Sequence, residues 1–73
     1  HPVRLQILHQ LIKKTSLNVS ELQRYLIIPQ STVLQHLGKL KLHKLVAYER
    51  KGLELFYRVD DEKVKQTLKI LID

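Results

Sequence analysis

The chain has 73 residues, with 13 Lys or Arg against 7 Asp or Glu, a net charge of +6, and no cysteine or methionine. This length predicts a single domain, residues 1–73, because a second hydrophobic core would need roughly 50 residues of its own. Disulfides and thiolate metal sites are excluded, so association with a partner is the remaining aid to stability. No apolar run approaches the ~20 residues of a membrane span. We therefore expect a basic cytoplasmic domain with a polyanionic partner.

The first predicted helix begins at Pro2, which suits a first turn because its missing N–H has no helical partner there. It ends near Lys13 and Lys14, whose charges favour a helix C-terminus, and a break follows at residues 15–17. Its apolar residues cover a wider arc than the ~100° stripe of a helix with one buried face: Val3, Leu5, Ile7, Leu8, Leu11 and Ile12. We expect one side of this arc to face the core and the other a second subunit. Arg4 lies inside the arc and is expected to reach a carboxylate.

A capping box predicts the second helix. The Asn18 side chain is expected to accept from the N–H of Glu21, whose carboxylate reaches back to the Asn18 backbone. This helix should end near Ile27, because Pro29 disfavours helical geometry at the residue before it. A third helix is predicted from about Gln30 to Leu42. Two short helices joined by such a turn form a helix-turn-helix.

A β-hairpin and a last helix complete the predicted order. Residues 45–50 and 54–59 are rich in β-formers and flank residues 51–53, where a glycine can supply the positive φ of a hairpin tip. Asp60 or Asp61 can then cap a helix that carries Val64, Leu68, Leu71 and Ile72 on one side. The order α-α-α-β-β-α predicts a mainly α fold with a small β-hairpin, the winged helix-turn-helix.

The third helix has a polar face that fits the major groove of duplex DNA. Val33, Leu37 and Leu40 share the opposite face and should anchor the helix to the core. Gln can pair bidentately with adenine, Ser and Thr can meet bases or phosphates, and Lys can reach guanine or a phosphate. The alternative is an ordinary solvated helix face. The predicted DNA contacts on this helix are Gln30, Ser31, Thr32, Gln35, His36, Lys39 and Lys41, with the two lysines on phosphates.

The distribution of charge favours double-stranded DNA as the partner. Residues 36–58 hold six Lys or Arg against two Glu, a net +4 of the total +6. This excess lies on the third helix and the hairpin, where Arg50 and Lys51 are predicted to contact phosphates or enter the minor groove. The alternative for the tip is a charged hairpin that blocks edge pairing. The competing hypothesis for the whole chain is a winged-helix module that binds another protein.

The chain resembles the ArsR/SmtB family of homodimeric winged-helix repressors in four runs: residues 1–8, 18–22, 29–37 and 52–59. A narrower resemblance is to the PagR-type regulators of bacilli. The resemblance implies dimerisation through the first and last helices, and we expect repression at an imperfect palindromic operator. It also implies that a dimerisation helix preceding His1 is missing, and the lack of an initiator methionine likewise predicts a piece of a longer protein. The implied interface residues are Val3, Ile7, Leu11, Leu68, Leu71 and Ile72.

Departures from the family pattern predict that the chain binds no metal. Metal-sensing members carry Cys-Val-Cys where this chain has Asn18-Val19-Ser20, which offers no thiolate. Other members place Asp and His ligands on the last helix, which here has no histidine. The four histidines of the chain also lack the i,i+4 pairing of helical metal ligands. No cofactor and no catalytic residues are expected, and a sensory ligand in the dimer cleft remains an alternative without candidate residues.

Two smaller departures concern single apolar residues. Leu34 stands on the third helix where family members commonly carry a small polar residue. It can either meet a thymine methyl group or pack against the domain, and we favour packing. Ile27 stands where a glycine is usual in the turn between the second and third helices.

Overall fold

The computed structural model describes residues 2–60 with Glu62 and Gln66. Residues 2–60 contain three helices and a three-stranded antiparallel sheet. The winged helix-turn-helix prediction is confirmed. Glu62 and Gln66 are helical, but the predicted positions Asp61, Val64, Leu68, Leu71 and Ile72 lie outside the described residues. The elements are α1 (Pro2–Lys14), β1 (Leu17–Asn18), α2 (Val19–Leu26), α3 (Gln30–Leu42), β2 (Val46–Lys51) and β3 (Glu54–Val59).

Helix α1 begins and ends where the sequence predicted. It runs from Pro2 through the two terminal lysines, and Thr15 closes it with a left-handed φ of 78°. The Thr15 N–H donates to the Leu11 carbonyl at 2.9 Å. The central apolar residues Ile7, Leu8 and Leu11 are buried, whereas Leu5 is 48% exposed. The wide apolar arc therefore divides into a core face and an exposed flank.

Strand β1 was not predicted, because Leu17 falls in the expected break and Asn18 was predicted only as a helix cap. Leu17 pairs with Tyr57 and Asn18 with Phe56, so the sheet has the order β1-β3-β2. A two-residue strand is too short to show alternation of apolar and polar side chains. Its one sequence signal is the apolar Leu17, which is buried.

The predicted capping box opens α2. The Glu21 N–H donates to Asn18 Oδ1 at 2.8 Å, and the Asn18 N–H donates to Glu21 Oε1 at 3.0 Å. Asn18 Nδ2 also donates to Glu54 Oε2 at 2.8 Å. One asparagine thus caps the first helix of the helix-turn-helix and joins it to the hairpin.

The turn between α2 and α3 depends on a left-handed isoleucine. Ile27 has φ 55° and ψ 50°, and its N–H donates to the Gln23 carbonyl at 2.9 Å. The left-handed conformation brings Cβ too close to the following carbonyl oxygen, at a cost of roughly 1–2 kcal/mol for a residue other than glycine. Pro29 then precedes α3 with extended geometry. Glycine would adopt this conformation without that cost.

The hairpin is confirmed, with β3 at the predicted residues 54–59 and β2 one residue later than the predicted 45–50. Strand β2 ends at Lys51, which pairs with Glu54, so the turn consists of Gly52 and Leu53 alone. Gly52 has φ 66°, as a tight hairpin tip requires. Lys51 therefore lies at the end of a strand and not in the turn.

Within the described residues, the three helices and the sheet pack around one hydrophobic core. The predicted anchors of α3 are confirmed, since Val33, Leu37 and Leu40 are each at most 2% exposed. Because these three side chains are buried, the opposite face of α3 is exposed to solvent. The cluster is completed by Ile7, Leu8, Leu11, Leu17, Leu22, Val46, Tyr57 and Val59.

Candidate nucleic-acid interface

The outer face of α3 is a row of exposed polar side chains above a buried anchor. Gln30, Ser31, Gln35 and Lys39 are exposed, and Thr32 is half-buried. The first turn of the helix has no acidic residue and no capping side chain. The positive end of the helix dipole and the first N–H groups therefore remain available for a phosphate.

The structure places His36 on the core side of α3. Its side chain is 8% exposed, and Nδ1 accepts from the Arg4 Nε–H at 3.3 Å. We therefore remove His36 from the expected base contacts. Arg4 meets this imidazole at the position where a carboxylate was expected. Spacing could have revealed the burial, because His36 lies three residues after Val33 and four before Leu40, within the core row.

The surroundings of His36 favour its neutral form. Desolvation, together with the nearby charges of Arg4 and Lys39, lowers the pKa of His36 below its usual 6.5. A neutral imidazole is the form that can accept the hydrogen bond from Arg4. His36 is therefore a neutral structural link between α1 and the helix with the outer polar face.

Lys41 joins the end of α3 to the hairpin. Its Nζ lies 3.9 Å from the centroid of the Tyr48 ring, and Tyr48 in turn lies 5.6 Å from the Tyr57 ring with which it pairs across the strands. Hydrogen bonding and the charge of Lys41 lower the pKa of Tyr48, whereas burial raises the pKa of Tyr57. The predicted phosphate ligand Lys41 is thus held against the wing by a cation–π contact.

The hairpin tip is basic and fully open to solvent. Arg50 and Lys51 are exposed, and the Lys51 Nζ lies 5.3 Å from the centroid of the Phe56 ring. Leu53 in the turn is 100% exposed. Two acidic residues, Glu49 and Glu54, lie in the same hairpin. Of these, Glu54 is engaged with Asn18 at 2.8 Å.

Sequence reasoning missed a surface on α2. An open groove of about 460 Å³ lies beside the turn that precedes α3, with the cationic Arg24 on its wall. In helix-turn-helix complexes the first helix crosses the DNA backbone while the second enters the groove. The signal was the exposed Arg24 in the last turn of α2. The groove is lined by Ser20, Gln23, Arg24, Ile27, Ile28 and Pro29.

The structure changes the set of residues available to a second subunit. Ile7 and Leu11 have no exposed surface within the single chain, so we remove both from the expected interface. Val3 remains, because it is only partly buried. Leu5 offers 48% of its surface and was not on the predicted set. The other predicted interface positions, Leu68, Leu71 and Ile72, lie outside the described residues.

Within residues 2–60, Glu62 and Gln66, no group of three or more His, Asp or Glu side chains could hold a metal ion. Over the same residues, every helix falls short of the length and hydropathy that crossing a bilayer requires. Leu34 on α3 is 45% exposed and does not belong to the core cluster, so the packing that we favoured for it is only partial.

Comparison with known proteins also supports a nucleic-acid interface on this chain. Residues 1–48 match the family described as "Bacterial regulatory protein, arsR family". The transcriptional repressor PagR of Bacillus anthracis is 42% identical over 71 residues, which are 97% of this chain and 71% of PagR. Its crystal structure matches with a TM-score of 0.91, covering 97% of this chain and 80% of that one. HlyU from Vibrio cholerae N16961 matches with a TM-score of 0.91 at 34% identity, over 97% of this chain and 76% of HlyU.

Proposed function

Because the chain belongs to the arsR family of bacterial regulatory proteins, it is a DNA-binding transcriptional regulator and not an enzyme, and we propose that it represses as a homodimer. Its operator is an imperfect palindrome, since a two-fold protein binds two related half-sites. The observation that carries this proposal is the exposed polar face of α3, fixed by three buried anchors and flanked by a basic hairpin.

In each subunit, α3 enters the major groove with its first turns nearest the bases. Gln35 is the residue suited to a bidentate pair with adenine, and Ser31 and Thr32 are suited to bases or phosphates. Gln30 lies at the helix start, where side chain and backbone N–H groups both face the DNA. Lys39, exposed in the last turns, contacts a phosphate.

The hairpin and α2 hold the backbone on either side of the groove. Arg50 and Lys51 supply exposed charge at the hairpin end, and Lys41 supplies charge where α3 meets the wing. Arg24 adds a cation beside the α2–α3 turn. Contacts of this kind set affinity and register, whereas the bases set the sequence preference.

The exposed flank of α1 supports association with a second copy. A domain of 73 residues buries a smaller share of its unfolded surface than a larger domain does, so covering the half-exposed Leu5 would add to its stability. We propose that Leu5 and Val3 pack against the partner subunit together with Leu68, Leu71 and Ile72. The two α3 helices would then lie about 34–36 Å apart, one turn of DNA.

Regulation in this proposal does not depend on a metal. Asn18 and Ser20 stand where metal-sensing relatives carry thiolates, and Asn18 is already engaged in the capping box and with Glu54. Because a DNA-binding regulator acts where its operator is, we place the protein in the cytoplasm, as one winged-helix domain over residues 1–73.

The experiment is selection of bound duplexes from a random pool, with native mass measurement of the complexes. We expect enrichment of a two-fold motif by a species that contains two chains. Addition of Zn²⁺ or of a chelator should leave the affinity for the enriched duplex unchanged. Weak binding without enrichment, even at low salt, would instead support a winged-helix module that binds protein.

A further inference from the structure

A large apolar side chain lies among the exposed polar residues of α3. Leu34 is 45% exposed, although the residue before it, Val33, is fully buried and three residues later Leu37 is 1% exposed. Leu34 therefore lies outside the core row, directly beside Gln35 and three residues after Ser31. A single exposed leucine is ordinary on a protein surface, so its meaning depends on what surrounds it.

The second observation is Gly38, one helical turn after Leu34. Among the described residues, a Cβ placed on Gly38 would meet no atom within 4 Å, and the φ of Gly38 is not left-handed. No contact within the described part of the chain therefore requires a glycine there, although glycine in a helix interior destabilises the helix relative to alanine. The bare backbone at Gly38 lets another molecule approach the exposed side of α3 closely.

Leu34 and Gly38 are i,i+4 neighbours and lie on one row of the helix surface. A short, branched side chain next to a bare turn cannot form hydrogen bonds with base edges. It matches the apolar group that the major groove presents, which is the 5-methyl group of thymine. Gln35 beside it suits adenine, so the two adjacent residues together suit A·T base pairs.

We propose that Leu34 is a specificity-determining residue that contacts a thymine 5-methyl group in each half-site, with Gly38 allowing the close approach. This inference rests on the proposed function, because it requires α3 to lie in the major groove. It adds a preference that hydrogen-bonding residues cannot supply, namely discrimination of thymine from a pyrimidine without the methyl group.

The test replaces thymine with deoxyuridine, which keeps every hydrogen-bonding group and removes only the methyl. Each thymine in one half-site of the duplex enriched from the random pool is replaced in turn, and equilibrium affinity is measured. The wild-type chain should lose about fourfold at one position, the change that corresponds to one methyl group removed from water. Leu34→Ala should bind the thymine duplex more weakly and show no further loss with deoxyuridine there.

Leu42→Ala is the matched control, because Leu42 is an exposed leucine at the far end of the same helix. It should keep the wild-type sensitivity to deoxyuridine. Thermal unfolding of both variants should be close to wild type, since neither leucine belongs to the core. The proposal is overturned if deoxyuridine is tolerated at every position, or if its penalty persists in Leu34→Ala. Failure of the proposed function would show earlier and differently, as a pool without any enriched duplex.

Discussion

Helix α3 and the hairpin both face the proposed DNA, but they are supported in different ways. The polar face of α3 lies above three side chains that are each at most 2% exposed, so its position is set by the core. The end of the hairpin, with Arg50, Lys51 and a fully exposed Leu53, is held by strand pairing and by the Asn18–Glu54 hydrogen bond, with no buried side chain among residues 49–54. Hydrogen bonds to base edges need fixed geometry, whereas attraction to phosphates falls off gradually with distance. The element proposed to read the DNA bases, α3, is therefore the one that the hydrophobic core holds in place.

The largest expected effect breaks the support of α3. Leu37→Ala removes a side chain that is 1% exposed and should lower the free energy of unfolding by about 2–5 kcal/mol. Leu42→Ala on the same helix is the control, because an exposed leucine should change it by less than about 0.5 kcal/mol. Chemical denaturation monitored by circular dichroism measures both. Equal effects would mean that α3 is not anchored as described.

The next effect removes one proposed base contact without touching the core. Gln35→Ala should weaken binding by about 1–3 kcal/mol at one base position and relax the preference there. Gln6→Ala, an exposed glutamine on α1, should leave the preference intact. Affinities for the enriched duplex and its single-base variants provide the measurement. An unchanged preference in Gln35→Ala would place α3 outside the major groove.

A third effect compares the turns that precede α3 and end the hairpin. Ile27→Gly should raise the free energy of unfolding by about 1 kcal/mol, since it relieves a left-handed φ at a side chain that is 88% exposed. Gly52→Ala should lower it by a similar amount, because Gly52 has φ 66°. Thermal or chemical unfolding of the two variants should therefore move in opposite directions. Destabilisation by Ile27→Gly would contradict the strain.

Gly38→Ala should separate stability from DNA binding. The added methyl group meets open space, so alanine should raise the free energy of unfolding by about 0.5–1 kcal/mol. The same methyl group lies on the face proposed to contact DNA and should weaken operator binding. A variant that is both more stable and a tighter binder would exclude close approach at this turn.

The smallest effect concerns pH. The pKa of His36 is lowered in the folded chain, so between that value and 6.5 the unfolded state binds more protons. The free energy of unfolding should therefore fall as pH decreases from 7 through the folded pKa. In His36→Gln, which keeps a hydrogen-bond acceptor for Arg4, this part of the decrease should vanish. Identical pH profiles for the two proteins would show that His36 is not the group responsible.

Most of the fold followed from local patterns in the sequence. Pro2, the Asn18–Glu21 capping box and Gly52 each act within a few residues, and the structure has elements that begin or turn at these places. Strand β1 did not follow, because two residues become a strand only through pairing with β3, far along the chain.

The candidate site was predictable only in part. The outer face of α3 follows from its apolar row, and the comparisons support its assignment to a DNA-binding family. His36 was wrongly predicted to contact bases, because its polar side chain was given more weight than its position in the apolar row of α3. Its hydrogen-bond partner Arg4 lies 32 residues away in the sequence, which local patterns do not reveal. Ile7 and Leu11 were assigned to an interface because sequence cannot divide a wide apolar arc between core and partner. The contribution of Arg24 to the candidate site depends on how α2 packs beside α3, which the periodicity of the sequence does not predict.

We propose that α3 determines the sequence preference and that the hairpin contributes affinity without sequence preference. The specificity ratio of Lys51→Ala, its affinity for the enriched duplex divided by its affinity for a scrambled duplex, tests this claim most directly. Affinities for the enriched duplex and for a scrambled duplex of equal length should be measured over a range of salt concentrations. We predict that both affinities fall by the same factor, so that their ratio is unchanged, and that the salt slope decreases by about 1. A ratio that falls in Lys51→Ala as it does in Gln35→Ala would contradict the account, because the hairpin would then read sequence as well.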